Sequence, residues 1–503
     1  MQPECRRTFP LLSKLLRVGR KGVAVAAILL LAGCGQTATT IDPAPPKPYP
    51  SISLTLAYSS SVRHPELIEQ FAQEWSNQTG AAVRIQRAEA GKAADIAILS
   101  PAEMPELADA GAILPVPADI RGREHPYQWD NLFQMESEKL ATWGVTTYAV
   151  PLMGEGRVLV YRPDRFEAAG VSSPDKEWTW EKYLAAARSL AEKGRPSLPP
   201  LPKRADDLDA EFHLIAACYD RPVNLQSEAP EGLSTLDGAD RHYTYQYRLK
   251  TARPRIDAPA FVHAFQLLQE MRSYRVAGES DDPSEAFRSG KASLCIATLE
   301  NLARFQSSDS AVRNRFRVAP LPGAGFTFDL LTGAKVPMKV LGVNRMPYLG
   351  SGGWLGVVGK DCANPNVAFE FLTAFAHPEK MGAEVITAAK WGAGPYRMLH
   401  LEERTRGLWL GYDLPAKETE ALIEALKLNL NTSIINHRYR LRLPNQAKHL
   451  DAFDALVRPG LQTGSADATK TLAEVNARWN DLWTGIPEPR KRAWIAMGYG
   501  FQN

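Results

Sequence analysis

Cysteine is scarce in this chain: there are five in 503 residues, and they form neither a CxxC pair nor a Cys/His cluster. That spacing argues against structural zinc. With Cys5 and Cys34 in the N-terminal segment, Cys218, Cys295 and Cys362 remain, enough for one internal disulfide at most, and buried free thiols are expected. An excess of one charge is lacking as well. The 59 basic and 56 acidic residues are mixed along the chain at a net +3, which gives no electrostatic footprint for nucleic acid. Long apolar runs are missing too. Val23 to Ala32 is about ten residues where a spanning helix needs roughly 20, and no later run reaches that length. Nor is there a G-x-S-x-G elbow, an H-E-x-x-H pair, a P-loop or a complete dinucleotide fingerprint. The expectation is a protein that is not an enzyme and carries no metal or cofactor.

What the N-terminus does have is Arg17, Arg20 and Lys21 ahead of that short apolar run, closing on Leu31-Ala32-Gly33-Cys34. The tetrapeptide looks like a bacterial lipobox. Residues 1–33 therefore read as a cleavable lipoprotein signal and Cys34 as the acylated first residue of the mature chain. Residues 34–50 are polar and proline-rich, with nothing to build a core, and read as a disordered tether.

Order is expected from Ile52. Ile52, Leu54 and Leu56 alternate with polar residues as a strand, and Leu67, Ile68, Phe71, Ala72 and Trp75 follow at helical spacing up to Gly80. Ala82 to Ile85 and Asp95 to Leu99 read as further strands. The sequence of strand, helix, strand, strand, helix predicts an open α/β sheet, with ligand at the carboxyl ends of its strands. Ser59, Ser60 and Ser100 fall at such ends. A second unit opens at Arg157 to Tyr161. Thr179 caps a helix carrying Trp180, Tyr183, Leu184, Ala187 and Leu190. Clean apolar stripes predict helices over 259–275 and 365–376, and two more near Leu450 to Leu456 and Leu472 to Leu482. A chain of this length exceeds one core, so two or more lobes are expected.

Several stretches resemble, in order and spacing, extracellular solute-binding protein family 1, the sugar-type receptors of ABC importers that include the maltose-binding proteins. They include Leu67-Ile68-Glu69-Gln70-Phe71 before Thr79-Gly80, Asp95 to Glu103 before Ala110 to Leu114, and Tyr148 to Leu152 leading into Val160 to Gly170. Thr179-Trp180-Glu181, Ala286 to Ala292, Ala319 to Gly323, Gly352-Gly353-Trp354 and Asn364 to Leu372 continue the series. The family has Asn where this chain has Arg162, and 195–255 and 326–348 match poorly. The resemblance implies a two-lobed periplasmic-binding-protein-like fold of class II type, each lobe an open, mostly parallel sheet flanked by helices, with a hinge between. It divides the chain into 51–150 and 351–392 for lobe 1, and 151–350 and 393–503 for lobe 2 with the C-terminal helices.

Glu155 lies just after the Tyr148 to Leu152 crossover, where relatives place a ligand-contacting acid. Gly154 and Gly156 flank it, and the alternative is a solvated loop acid. Trp354 follows a glycine run where relatives cross between lobes. An indole face suits a pyranose ring, and the alternative is a core tryptophan. Trp391 and Tyr396 form a second aromatic pair at a crossover, with packing an even alternative. Glu300 and Asn301 follow a strand that points to the same cleft, with helix capping as the alternative. Trp180, Trp479 and Trp483 read as core, and Arg490-Lys491-Arg492 as a solvated tail.

The implied function is capture of a small polar solute, a mono- or oligosaccharide, by hinge closure and its delivery to the transmembrane subunits of an ABC permease. The protein would be a monomer held at the periplasmic face of a bacterial membrane by lipid on Cys34. Iron-carrier or polyamine binding is the alternative within the family. Outside it stand a ligand-binding sensor lipoprotein and, further off, a surface glycan hydrolase built on two carboxylates.

Overall fold

The computed structural model describes residues 46–502 except 61, 63, 88–93, 195–196, 221–235, 339–341, 347–352, 380–383, 389–392 and 431–439. The expected signal segment, Cys34 and most of the expected tether lie outside these residues. Among the described residues, no helix is long and apolar enough to cross a membrane.

Eight strands carry the architecture: β1 (Ser53–Tyr58), β2 (Ala82–Arg87), β3 (Ile96–Leu99), β4 (Val150–Met153), β5 (Arg157–Tyr161), β6 (Leu294–Thr298), β7 (Arg317–Ala319) and β8 (Trp354–Val358). They form two separate sheets, ordered β2-β1-β3-β8-β4 and β6-β5-β7. In β1 the alternation read from sequence is real, with Leu54 and Leu56 buried and Ser53 exposed. The interior strand β3 is buried at all four positions, as a strand covered on both faces requires. A mostly parallel sheet is found only across β2, β1 and β3. β8 runs antiparallel to both β3 and β4, and the second sheet is antiparallel in both pairings. The reason is topological. β8 enters the first sheet on return from the second, so it runs against its neighbours, whereas helix Pro65–Thr79 carries the chain from β1 back to a parallel β2.

The helices follow their stripes. Pro65–Thr79 starts on a proline at the first turn and stops at Gly80, whose φ of 85° lies in the left-handed region, and it buries Ile68, Ala72 and Trp75. Trp75 and Phe71 meet Phe371 of helix Pro365–Phe375 edge-on at 5.3 and 5.2 Å. Thr179 caps Trp180–Glu192 by accepting from Lys182 N. The chain is docked earlier than Ile52: Tyr49 N donates to Thr79 O at 2.8 Å, and its ring stacks on Trp75 at 6.2 Å.

In the second half, helices Ala205–Tyr219 and Pro259–Met271 pack against the C-terminal helices Gln446–Thr463 and Ala468–Asp481. Tyr247 lies flat between Trp479 and Trp483, with centroids at 5.6 and 5.1 Å, so both tryptophans are core, as is Trp180. Cys218 and Cys295 are buried free thiols. Arg490 is no free tail: it pairs with Asp109 at 2.7 Å and lies over the Trp494 ring.

Candidate ligand cleft

The two sheets are joined where β4 runs into β5 through Gly154, Glu155 and Gly156. A second stretch of chain crosses the same place in the opposite sense. Gly394 N donates to Gly154 O at 2.9 Å and Gly154 N to Gly394 O at 3.3 Å. The backbones touch. A Cβ on Gly394 would lie 2.0 Å from Glu155 C, one on Gly154 2.4 Å from Pro395 O, and one on Gly353 2.3 Å from Met153 O. Gly353 also has φ +87°, so three crossing segments converge at glycines that no other residue replaces without displacement.

Around this junction stand the residues expected to bind. Glu155 is mostly buried, and Arg157 turns Nε and a terminal nitrogen onto its Oε1 at 3.0 and 2.8 Å. Trp354 opens β8 opposite Met153 at a register shift and is 8% exposed. Its indole is therefore largely packing. Tyr396 is fully buried beneath Arg397, whose guanidinium lies 5.0 Å from its ring and 4.4 Å from that of Tyr127. It supports the crossing instead of offering its ring face. Trp391 lies outside the described residues.

At the carboxyl ends of β1 and β3, the serines are gathered by a residue the sequence reading did not single out. The Glu103 carboxylate accepts from Ser59 Oγ at 2.7 Å, Ser100 N at 2.9 Å and Ser100 Oγ at 2.7 Å. Ser59 is buried and Ser60 exposed. Facing them from the second sheet is helix Leu299–Phe305. His64, next to β1 at the start of helix Pro65–Thr79, comes within 3.9 Å of Glu300, which links the two sides. Asn301 is a cap. It forms a capping box with Thr298, whose N and Oγ1 both donate to Asn301 Oδ1 at 3.0 Å, so that oxygen is committed to the helix end.

One further acid belongs here. Glu136 sits in the wide-turned helix Met135–Leu140 and is 3% exposed. Burial pushes its carboxyl up to about 8; Arg442 opposes that shift and Glu155 adds to it. Glu103, His64, Arg157 and Glu136 were missed because none stands in a motif. Only Glu103 lay inside a stretch quoted for the resemblance. Among the described residues, no group of three or more His, Cys, Asp or Glu is arranged to hold a metal.

The arrangement offers carboxylates and hydroxyls beside a largely buried indole at the junction of the two sheets. The model of the family described as bacterial extracellular solute-binding protein matches residues 70–213. No curated protein matches the sequence. Solved structures match the fold over most of the chain. The maltose-bound MalE3 of T. maritima is 15% identical with a TM-score of 0.59, over 86% of this chain and 100% of that one. The ABC transporter solute-binding protein of Agrobacterium radiobacter K84, in complex with ribitol, is 17% identical with a TM-score of 0.62, over 87% and 100%. The substrate-binding protein Lmo0181 of Listeria monocytogenes, in complex with cycloalternan, is 15% identical with a TM-score of 0.58, over 86% and 98%. The fold is that of the two-lobed periplasmic binding proteins. In sequence the chain is similar to bacterial extracellular solute-binding proteins, which are binding proteins and not enzymes.

Proposed function

We propose that the protein is the extracytoplasmic receptor of an ABC importer, which captures a small hydroxylated solute, a mono- or oligosaccharide or a related polyol, between its lobes. The observation that carries this reading is the junction of Gly154, Gly394 and Gly353. Three close-packed crossings with polar ends of both sheets beside them are what a hinge with a binding cleft requires. Lobe 1 takes β1 to β4 and β8, and lobe 2 takes β5 to β7 with the C-terminal helices. Glu155, Glu300 and the Ser59/Ser100/Glu103 group supply acceptors and donors for hydroxyls, and Trp354 at the junction supplies apolar surface. The ligands named for similar structures, maltose, ribitol and cycloalternan, all present hydroxyl groups, which is the chemistry this set of side chains recognises.

Closure is driven only by the solute's better fit to the closed form, and a permease then distinguishes loaded from empty receptor by shape. Lipid on Cys34 and the segment after it hold the receptor near the membrane, which raises its local concentration at the permease. A thermal-shift screen over sugars, polyols, polyamines and metal chelates tests the reading, because a ligand of the folded state raises the melting temperature with its concentration. Sugars or polyols should shift the melt. A shift with polyamines or chelates alone would overturn the carbohydrate assignment, and release of reducing ends from an added glycan would overturn a purely binding role.

A further inference from the structure

β3 and β4 each run antiparallel to β8 and so share one direction. The short hairpin of Thr142–Trp143 and Thr146–Thr147, which leads into β4, therefore sits at the end of the first sheet opposite Ser59 and Ser100. Helix Met104–Asp109 brings the chain from Ser100 back to that same end, where Ile113 bridges Gly359 just after β8. The cleft lies on one side of the crossings and these segments on the other.

Against that far end lie helix Glu488–Gly498 and the residues after it. They are anchored in the second half of the chain. Tyr245 N donates to Tyr499 Oη at 3.1 Å, the Tyr243 ring meets Phe501 edge-on at 4.7 Å, and the Trp494 ring meets Trp483 at 6.3 Å. From there they reach the first sheet at three separate points. Arg490 pairs with Asp109 at 2.7 Å, Gly144 N donates to Met497 O at 2.9 Å, and Lys139 Nζ donates to Tyr499 O at 3.2 Å. The fit is close, since a Cβ on Gly144 would lie 3.2 Å from Phe501 O and 3.3 Å from Met497 Cγ. Arg442, ahead of helix Gln446–Thr463, adds bonds to Leu140 O at 2.7 Å and Thr142 O at 3.2 Å.

Both sides of the crossings are thus tied in one arrangement. On the cleft side His64 comes within 3.9 Å of Glu300, and on the far side the three contacts are made. Rigid lobes that turn about Gly154 and Gly394 cannot part on one side without sliding on the other. Hydrogen bonds hold only within about 2.7–3.2 Å, so a rotation that takes His64 away from Glu300 breaks far contacts as well.

We propose that residues 488–501, docked on Asp109, Lys139 and Gly144, form a strap behind the hinge that favours the arrangement bringing His64 to Glu300 and so raises the affinity for solute. The effect on affinity rests on the receptor reading above, whereas the strap's hold on the first sheet does not. Apparent affinity scales with the fraction of molecules already in the binding-competent form, and the strap enlarges that fraction.

The test is the double variant Lys139→Met/Arg490→Glu, which removes both side-chain ties and leaves the helix packed on its own lobe. Without ligand, the Gly144 amide should exchange about three- to tenfold faster than in wild type while the amides of β3 are unchanged. The radius of gyration from small-angle scattering should rise. Unchanged exchange and scattering would overturn the strap, and so would a lower melting temperature at an unchanged radius, which marks a purely structural tail. Should the double variant not fold, Arg490→Asp and the swapped pair Asp109→Arg/Arg490→Asp decide: the first should widen the molecule and the second restore it, and matching profiles would overturn the proposal. Maltose and ribitol then serve as probes. A probe that raises the melting temperature of wild type should be needed at about three- to tenfold higher concentration in the double variant for the same shift, and equal curves count against the effect on capture. If neither probe shifts wild type, that failure belongs to the receptor reading, and the ligand-free comparison still decides the strap.

Discussion

Replacing Gly394 with alanine adds one methyl group at the tightest point of the proposed hinge. That methyl would lie 2.0 Å from Glu155 C, 2.2 Å from Gly156 N and 2.4 Å from Glu155 Cα, all of them backbone atoms. Ordinary contact begins near 3.4 Å, so the crossings must separate by about 1.4 Å, which is 3.4 minus 2.0. A separation of that size carries the Gly394 N to Gly154 O bond from 2.9 Å to about 4.3 Å, beyond bonding range. Overpacking costs about 1–3 kcal/mol, and two hydrogen bonds contribute about 0.5–1.5 kcal/mol each. The gain of up to about 1 kcal/mol from a stiffer unfolded chain offsets little of this. Gly394→Ala should therefore lose about 3–4 kcal/mol in urea denaturation followed by tryptophan fluorescence. It should also lose ligand-dependent thermal shifts. Gly407→Ala is the control, since nothing lies within 4 Å of its added carbon, and it should be neutral or slightly stabilising. If the two variants denature together, the crossings do not pack as described and the hinge reasoning falls.

Arg397 is fully buried and donates to the carbonyls of Tyr127 at 2.8 Å, Gln128 at 3.1 Å and Ala376 at 3.0 Å. Arg397→Met leaves those acceptors unpaired at about 1–3 kcal/mol each, so denaturation should show a loss of at least about 3 kcal/mol, and a near-neutral variant would show that water reaches the site. Trp354→Ala should cost about 3–5 kcal/mol as well as the sugar-dependent shift, while Trp354→Phe should keep most of the stability. A sugar shift that survives Trp354→Ala would make the residue purely structural. Cys34→Ser should move the protein from the membrane fraction to the soluble fraction in cell fractionation with its thermal-shift response to sugars unchanged, and unaltered membrane retention would remove the lipid anchor from the reading.

Local information was legible and non-local information was not. Helix Pro65–Thr79 announces itself through an i, i+3, i+4 apolar stripe, a proline at its start and Gly80 at its end. Thr179 caps as its chemistry requires. Asn301 follows the same rule: Thr298-Leu299-Glu300-Asn301 puts a side-chain acceptor three residues after a threonine, a local capping signal, and the capping alternative read from the sequence is the one the structure shows. The direction of β8 belongs to the other kind, because its partners lie far away in the chain and either direction satisfies an apolar pattern. The hinge is harder still. Gly154 and Gly394 each look like an ordinary loop glycine until the fold brings them together, and only then does the lack of a side chain at both become a requirement. Glu136 depends on still more distant groups. Arg442, which shares its surroundings, donates to Leu140 across 302 positions, and burial, the cause of its shifted proton, is a property of the assembled core. A glutamate among 56 acidic residues is unremarkable by composition. What singles it out is that the fold removes its water, so such a feature is defined only by residues brought together by folding.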